Sequence, residues 1–178
     1  MEYKTSYVER ASKFIAQISR YLEGCSTIDD YCMMVDMFCH DSRRHVRCFH
    51  GLTRIALITS DYVVKIDIGS EYNCEQFGNC KSEYDFYKFA EKEDYDYLLA
   101  PITRIEYNNR YYYIMPYIHG VDTGKGDVDE YLSFDEAIWI NTHLWDMHSG
   151  NYGFNDEGDP IIIDYACVRM MDGDIIRG

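Results

Sequence analysis

The chain has 178 residues and a formal net charge of −14, from 17 basic and 31 acidic side chains. That length suits one domain, or two lobes sharing a cleft, and is enough to bury a core. The acidity argues against DNA or RNA as a direct partner, since that affinity comes largely from Lys and Arg on phosphates. With 47% hydrophobic residues and 18 tyrosines, the chain is not a disordered acidic tail. The charge fits cationic substrates or a basic host protein, although solubility alone also accounts for it. Apolar runs are too short for a membrane span, and Met1-Glu2-Tyr3-Lys4-Thr5 lacks a basic-then-apolar signal. Seven cysteines without such a signal read as reduced thiols, so the expectation is a cytoplasmic protein with no membrane partner.

Residues 7–22 have the spacing of an amphipathic helix that Gly24 ends. Ser26 to Asp30 resemble an N-cap for a second helix over 28–40, carrying Met33, Met34, Met37 and Phe38. That methionine-rich face suits either a partner or packing on the first helix, with packing preferred. Cys25, Cys32 and Cys39 recur every seven residues, with His40, His45, Cys48 and His50 nearby. Structural zinc sites typically use close Cys pairs, and none exists here, so the cysteines read as small residues along one helical face. A basic island, Arg43-Arg44-His45-Val46-Arg47, precedes a stretch from Gly51 through Arg54 to Thr59 that has one glycine. It suits attraction of a triphosphate and an exposed turn equally.

Tyr62-Val63-Val64-Lys65-Ile66 is a β-branched run that places a lysine on a strand. A helix is expected over 79–90, with Phe86, Phe89 and Ala90 on one face and Glu83 in its first turns. Residues 102–107 and 111–118 form two strands joined by Asn108-Asn109-Arg110, the chemistry of a hairpin. A helix follows over 134–144. Then comes the most informative segment, Asp146-Met147-His148-Ser149-Gly150-Asn151, a polar loop leading into a hairpin whose turn is Asn155-Asp156-Glu157-Gly158-Asp159. The second strand of that hairpin, Ile161-Ile162-Ile163, ends on Asp164.

These pieces, in this order, resemble the protein-kinase-like fold, and the loop resembles that of its aminoglycoside phosphotransferase branch. Asp146 and Asn151 have the spacing of the kinase catalytic loop, and Asp164 follows its strand as the Mg²⁺-binding aspartate does. Short chains of this look also resemble kinase-like proteins of tailed bacteriophages. The resemblance implies an α+β, truncated two-lobed fold. Residues 1–45 would be an extension of two extra N-terminal helices. Residues 46–118 would be an N-lobe with a five-stranded antiparallel sheet and one helix, and 119–178 a reduced C-lobe. It implies ATP and Mg²⁺ as cofactors bound between the lobes. Gly51, Arg54, Lys65, Glu83, Met115 and Tyr117 would bind nucleotide, with Lys65 held by Glu83 and residues 115–118 as the hinge. Asn151 and Asp164 would hold the metal, and Asp146 would accept the proton of an acceptor hydroxyl on an unknown protein or small molecule. His148 would shape the loop through backbone hydrogen bonds.

The sequence departs from the pattern at several points. Its phosphate loop has one glycine. Leu144 and Trp145 precede Asp146, with His143 displaced by one position, and Tyr165-Ala166 replace the usual Phe-Gly. About a dozen residues follow Ala166, which implies no activation segment. Trp139, Trp145, Ile175 and Ile176 would then have to shield the face beneath the loop. Either the N-terminal helices or a second copy of the chain, as a homodimer, is expected to cover it. The rival expectation is a pseudokinase, a non-catalytic host-modulating module that binds another protein.

Overall fold

The computed structural model describes residues 3–41, 45–68, 78–119 and 128–169. Arg43 and Arg44 of the basic island, and Ile175 and Ile176, lie outside the described residues. The architecture is α+β, and the chain divides into two compact units. One comprises Met1–Glu75 with Ile102–Tyr117, the other Gln76–Pro101 with Ile118–Gly178.

The first unit pairs two helices, α1 (Tyr3–Tyr21) and α2 (Ile28–Asp41), with a five-stranded antiparallel sheet. Its strands are β1 (Arg47–His50), β2 (Arg54–Ile58), β3 (Tyr62–Asp67), β4 (Thr103–Tyr107) and β5 (Arg110–Pro116), in the order β1-β2-β3-β5-β4. The β4–β5 turn places Asn108 and Asn109 at φ 51° and 58°. Two successive positive φ values match the twist of a tight hairpin, and Asn tolerates them better than most residues. Ala11, Phe14, Ile15 and Ile18 form one stripe of α1, at the spacing of a helical face, and Leu22 just past its end continues it. That stripe shares a core with Val35 and Phe38 of α2 and with Ile55, Leu57, Val64, Ile66 and Ile114 of the sheet. Phe14 makes edge contacts with Phe38 at 5.1 Å and Tyr62 at 6.0 Å between ring centroids.

Helix α2 starts on a reciprocal cap. Thr27 Oγ1 accepts from the Asp30 N–H at 3.1 Å, while Asp30 Oδ2 accepts from the N–H groups of Ser26 and Thr27 at 3.1 and 3.0 Å. These bonds hold the Asp30 carboxyl below the usual carboxylate range. Met33 and Met37 remain exposed, while α2 packs through Val35, Phe38 and the half-buried Met34.

The second unit holds α3 (Cys80–Lys92), a 3₁₀ turn (Asp96–Leu98), a second (Val128–Tyr131), α4 (Phe134–His143) and a hairpin of β6 (Tyr152–Phe154) and β7 (Pro160–Ile162). Asn79 caps α3 by accepting from the Ser82 N–H at 2.8 Å. Ser133 and Glu136 make a capping box at the start of α4. An aromatic cluster joins α3 to α4: Trp139 stacks on Tyr95 at 4.6 Å and on Phe89 at 6.4 Å. Trp145 stays exposed. No described helix is long and apolar enough to cross a membrane.

Candidate functional site

Strand alternation sets which sheet residues face away from the first unit's helices. Ile55, Leu57, Val64, Ile66, Tyr112 and Ile114 belong to the helix-packed core. Their neighbours Arg54, Lys65, Tyr113 and Met115 therefore share the opposite face. Lys65 lies opposite Ala56 of β2 and Tyr113 of β5, while Val63 lies opposite Met115. Lys65 is only 6% exposed, an unusual place for an ammonium group. Arg54 pairs with Asp67 across β2 and β3. Three of the expected nucleotide residues, Arg54, Lys65 and Met115, are thus on one face of one sheet.

Gly51 and Tyr117 are the other expected residues of this unit. Gly51 lies in the β1–β2 turn, where its N–H donates to the Arg54 carbonyl at 2.8 Å. That donor is engaged in closing the turn. Tyr117, just past β5, donates its N–H to the Asp61 carbonyl at 3.0 Å, and its hydroxyl accepts from Arg47 Nη2 at 3.1 Å.

In the second unit Glu83 is fully buried in the first turn of α3. Its Oε1 accepts from the Tyr165 N–H at 3.2 Å, which fastens the residue after Asp164 to the helix. Tyr165 is itself buried, and its hydroxyl donates to the Ala100 carbonyl at 2.7 Å. Burial first, and the Glu83 charge second, push that phenol well above its ordinary range, so it stays protonated. Gly78 completes the junction, since a Cβ there would overlap the Ala166 carbonyl group.

The loop after α4 is held at both ends. Trp145 N–H donates to the Cys167 carbonyl at 3.3 Å, Arg169 N–H to the His143 carbonyl at 2.7 Å, and Arg169 Nε to the Leu144 carbonyl at 3.0 Å. His143 does not enter the loop. It ends α4, buried, with Nδ1 at 2.8 Å from the Trp139 carbonyl. Inside the loop His148 Nδ1 accepts from the Gly150 N–H at 3.1 Å, and the His148 carbonyl accepts from the Asn151 N–H at 2.8 Å. His148 thus holds the loop with both its ring and its carbonyl, each accepting from a loop N–H.

Asn151 links the three expected catalytic positions of this unit. Its Nδ2 donates to the Asp146 carbonyl at 2.7 Å, and its own carbonyl accepts from the N–H groups of Ile163 at 2.8 Å and Asp164 at 3.4 Å. A carbonyl only accepts, so the amide orientation is forced: the nitrogen faces Asp146 and Oδ1 is the side chain's other end. Asp146 is exposed, and its Oδ2 lies 3.8 Å from the Cys167 thiol. The donor set of Asn151 Oδ1 and the Asp164 carboxylate is all oxygen, the chemistry that suits a hard cation such as Mg²⁺.

Glu83, Asp146, Asn151 and Asp164 are therefore joined within one unit, while Gly51, Arg54, Lys65, Met115 and Tyr117 belong to the other. Three contributors carry no motif signal: Gly78, Cys167 and Arg169. Gly78 precedes a helix cap, where glycine reads as a loop residue, and its partner Ala166 is far away in sequence. No protein-family model matches this sequence, and no curated protein is significantly similar to it.

Proposed function

We propose that the chain is a minimal kinase-like phosphotransferase, moving the γ-phosphoryl group of ATP to a hydroxyl on a protein or small-molecule acceptor. The observation that carries this reading is the Asn151 side chain. Its amide NH₂ donates to the Asp146 carbonyl, which ties residues 146 and 151 together and leaves Oδ1 as the oxygen that a metal would use in this reading. Mg²⁺ when bound would neutralise phosphate charge. Asn151 and Asp164 would hold it, Lys65 would supply a further cation to the phosphates, and Asp146 would orient the acceptor hydroxyl and take its proton. The buried Glu83 supports the reading in a different way, as a positioning residue that fixes the backbone next to Asp164.

The second reading, a pseudokinase that binds another protein, draws support from the β1–β2 turn. Its one glycine has its N–H engaged by Arg54, which leaves that donor unavailable to a phosphate. Calorimetric MgATP binding beside phosphoryl transfer separates the two. Asp146→Asn should keep nucleotide affinity and abolish turnover, whereas Asp164→Asn and Lys65→Ala should weaken MgATP binding itself. Absence of MgATP binding by the wild-type chain at millimolar nucleotide would sink the enzyme reading.

A further inference from the structure

Helix α2 and strand β1 bring together side chains that the phosphotransferase reading does not use. Asp36 and Cys39 are three apart on α2, so they share a helical face. Cys48 and His50 are two apart on β1, so they share a strand face. Among the described residues, Asp36, Cys48 and His50 have ligand atoms that all lie within 4.8 Å of one another. His50 Nε2 is 3.0 Å from Asp36 Oδ1 and 3.2 Å from Cys48 Sγ. Cys39 interacts with the Cys48 thiol, but its sulfur is not among the ligand atoms within 4.8 Å of one another.

A carboxylate oxygen, an imidazole nitrogen and a sulfur thus converge from two elements. Release of the thiol proton, with the His50 proton on its other nitrogen, would leave all three able to bind one cation. Tetrahedral bonds of about 2.3 Å to sulfur and about 2.0 Å to nitrogen or oxygen set ligand atoms about 3.3–3.6 Å apart. The distances from His50 to its two neighbours are 3.0 and 3.2 Å, so an outward shift of a few tenths of an ångström brings those pairs to that spacing. A sulfur, an imidazole and one carboxylate favour Zn²⁺ over Mg²⁺ or Ca²⁺, which prefer oxygen alone. Asp36 and His50 are exposed, so an ion reaches the group from solvent.

We propose that Asp36, Cys48 and His50 form a zinc site that ties α2 to the edge strand β1. Three protein ligands leave the fourth position to water, and the site is distinct in metal and place from the oxygen ligands of Asn151 and Asp164. Spacing in the sequence hides it, because no close Cys pair is present and two of the three ligands come from a strand.

The test uses the full chain, kept reduced with a phosphine, stripped with a chelator and titrated with Co²⁺ before competition with Zn²⁺. One equivalent should bind, with thiolate-to-cobalt charge-transfer absorption and the intense visible bands of tetrahedral Co²⁺, both abolished by one equivalent of Zn²⁺. Cys48→Ser and His50→Ala should each weaken Zn²⁺ on the order of 100-fold, as loss of one of three protein ligands implies. Cys39→Ser should leave the charge-transfer band in place, and Cys25→Ser should change nothing. A wild-type titration without charge-transfer bands overturns the proposal, whether or not the variants fold. Zn²⁺ affinity that survives Cys48→Ser and His50→Ala unchanged overturns it too.

Discussion

Substituting Gly78 by alanine sets two known effects against each other. Gly78 does not adopt a positive φ, so no backbone conformation reserves the position for glycine. Removing its freedom in the unfolded chain would by itself stabilise the protein by about 0.4–1 kcal/mol. The opposing term is steric. The new methyl group would overlap the Ala166 carbonyl and come within 2.7 Å of the Ala166 Cβ. The overlapped atoms are backbone, so no rotamer change relieves them, and the cost belongs at the upper end of the roughly 1–3 kcal/mol seen for overpacking. Sterics win. The net loss should be about 2 kcal/mol, which at roughly 2–4 °C per kcal/mol for a chain of this size lowers Tm by about 4–8 °C. Both tryptophans, Trp139 and Trp145, are in the second unit, so their fluorescence during urea or thermal unfolding reports the affected part. Because Ala166 follows Asp164 by two residues, Mg²⁺-dependent nucleotide binding should weaken along with stability. An unchanged or raised Tm would refute the close approach of residues 78 and 166, and with it the anchoring of the Asp164 segment on α3.

Asn151→Ala should cost about 1–3 kcal/mol in urea unfolding, because the Asp146 carbonyl loses its partner, and should remove Mg²⁺-dependent nucleotide binding. Asn151→Asp keeps an oxygen but turns it on that carbonyl, so it should not restore the loop. Phe14→Ala should cost about 3–5 kcal/mol by emptying the contact with Phe38 and Tyr62; a loss under about 1 kcal/mol would show that α1 is dispensable to the first unit. Asp30 has a lowered pKa in the folded chain, so its contribution is present above its unfolded value near 4 and lost as pH falls through the folded value. Helical circular dichroism below pH 4 should therefore fall in two parts, and Asp30→Asn should remove the cap-dependent part while leaving the rest.

Local chemistry made most of the fold readable. The stripe from Ala11 to Leu22, the alternation around Val64 and Ile66, and Asn108-Asn109 each specify an element through neighbours in sequence. The hydrogen bonds within the loop from Asp146 to Asn151 are local for the same reason, since Asp146, His148, Gly150 and Asn151 lie within six residues. Long-range steric facts were not. Nothing around Gly78 indicates that Ala166 will lie against it, and nothing in helix 79–90 indicates that its contacts group it with 118–178 rather than with the sheet. The heptad-spaced cysteines Cys25, Cys32 and Cys39 lie half-buried against the core, in keeping with small residues on one side, while the interaction of Cys39 with the strand residue Cys48 is one that helical periodicity does not register.

The strand order also has a consequence during synthesis. Strand β3 is central, yet its partner on one side, β5, is made only after α3 and the 3₁₀ turn that follows it. Roughly 40 residues separate Asp67 from Arg110, about 2–8 s of elongation at ~5–20 residues per second. Throughout that interval the N–H and C=O groups of residues 62–65 that will face residues 113–116 form an unpaired edge on a nascent three-stranded meander. The edge is apolar apart from Lys65. A lysine at that position is a gatekeeper for the growing chain before it is anything else, discouraging one emerging polypeptide from zipping onto another on the same message.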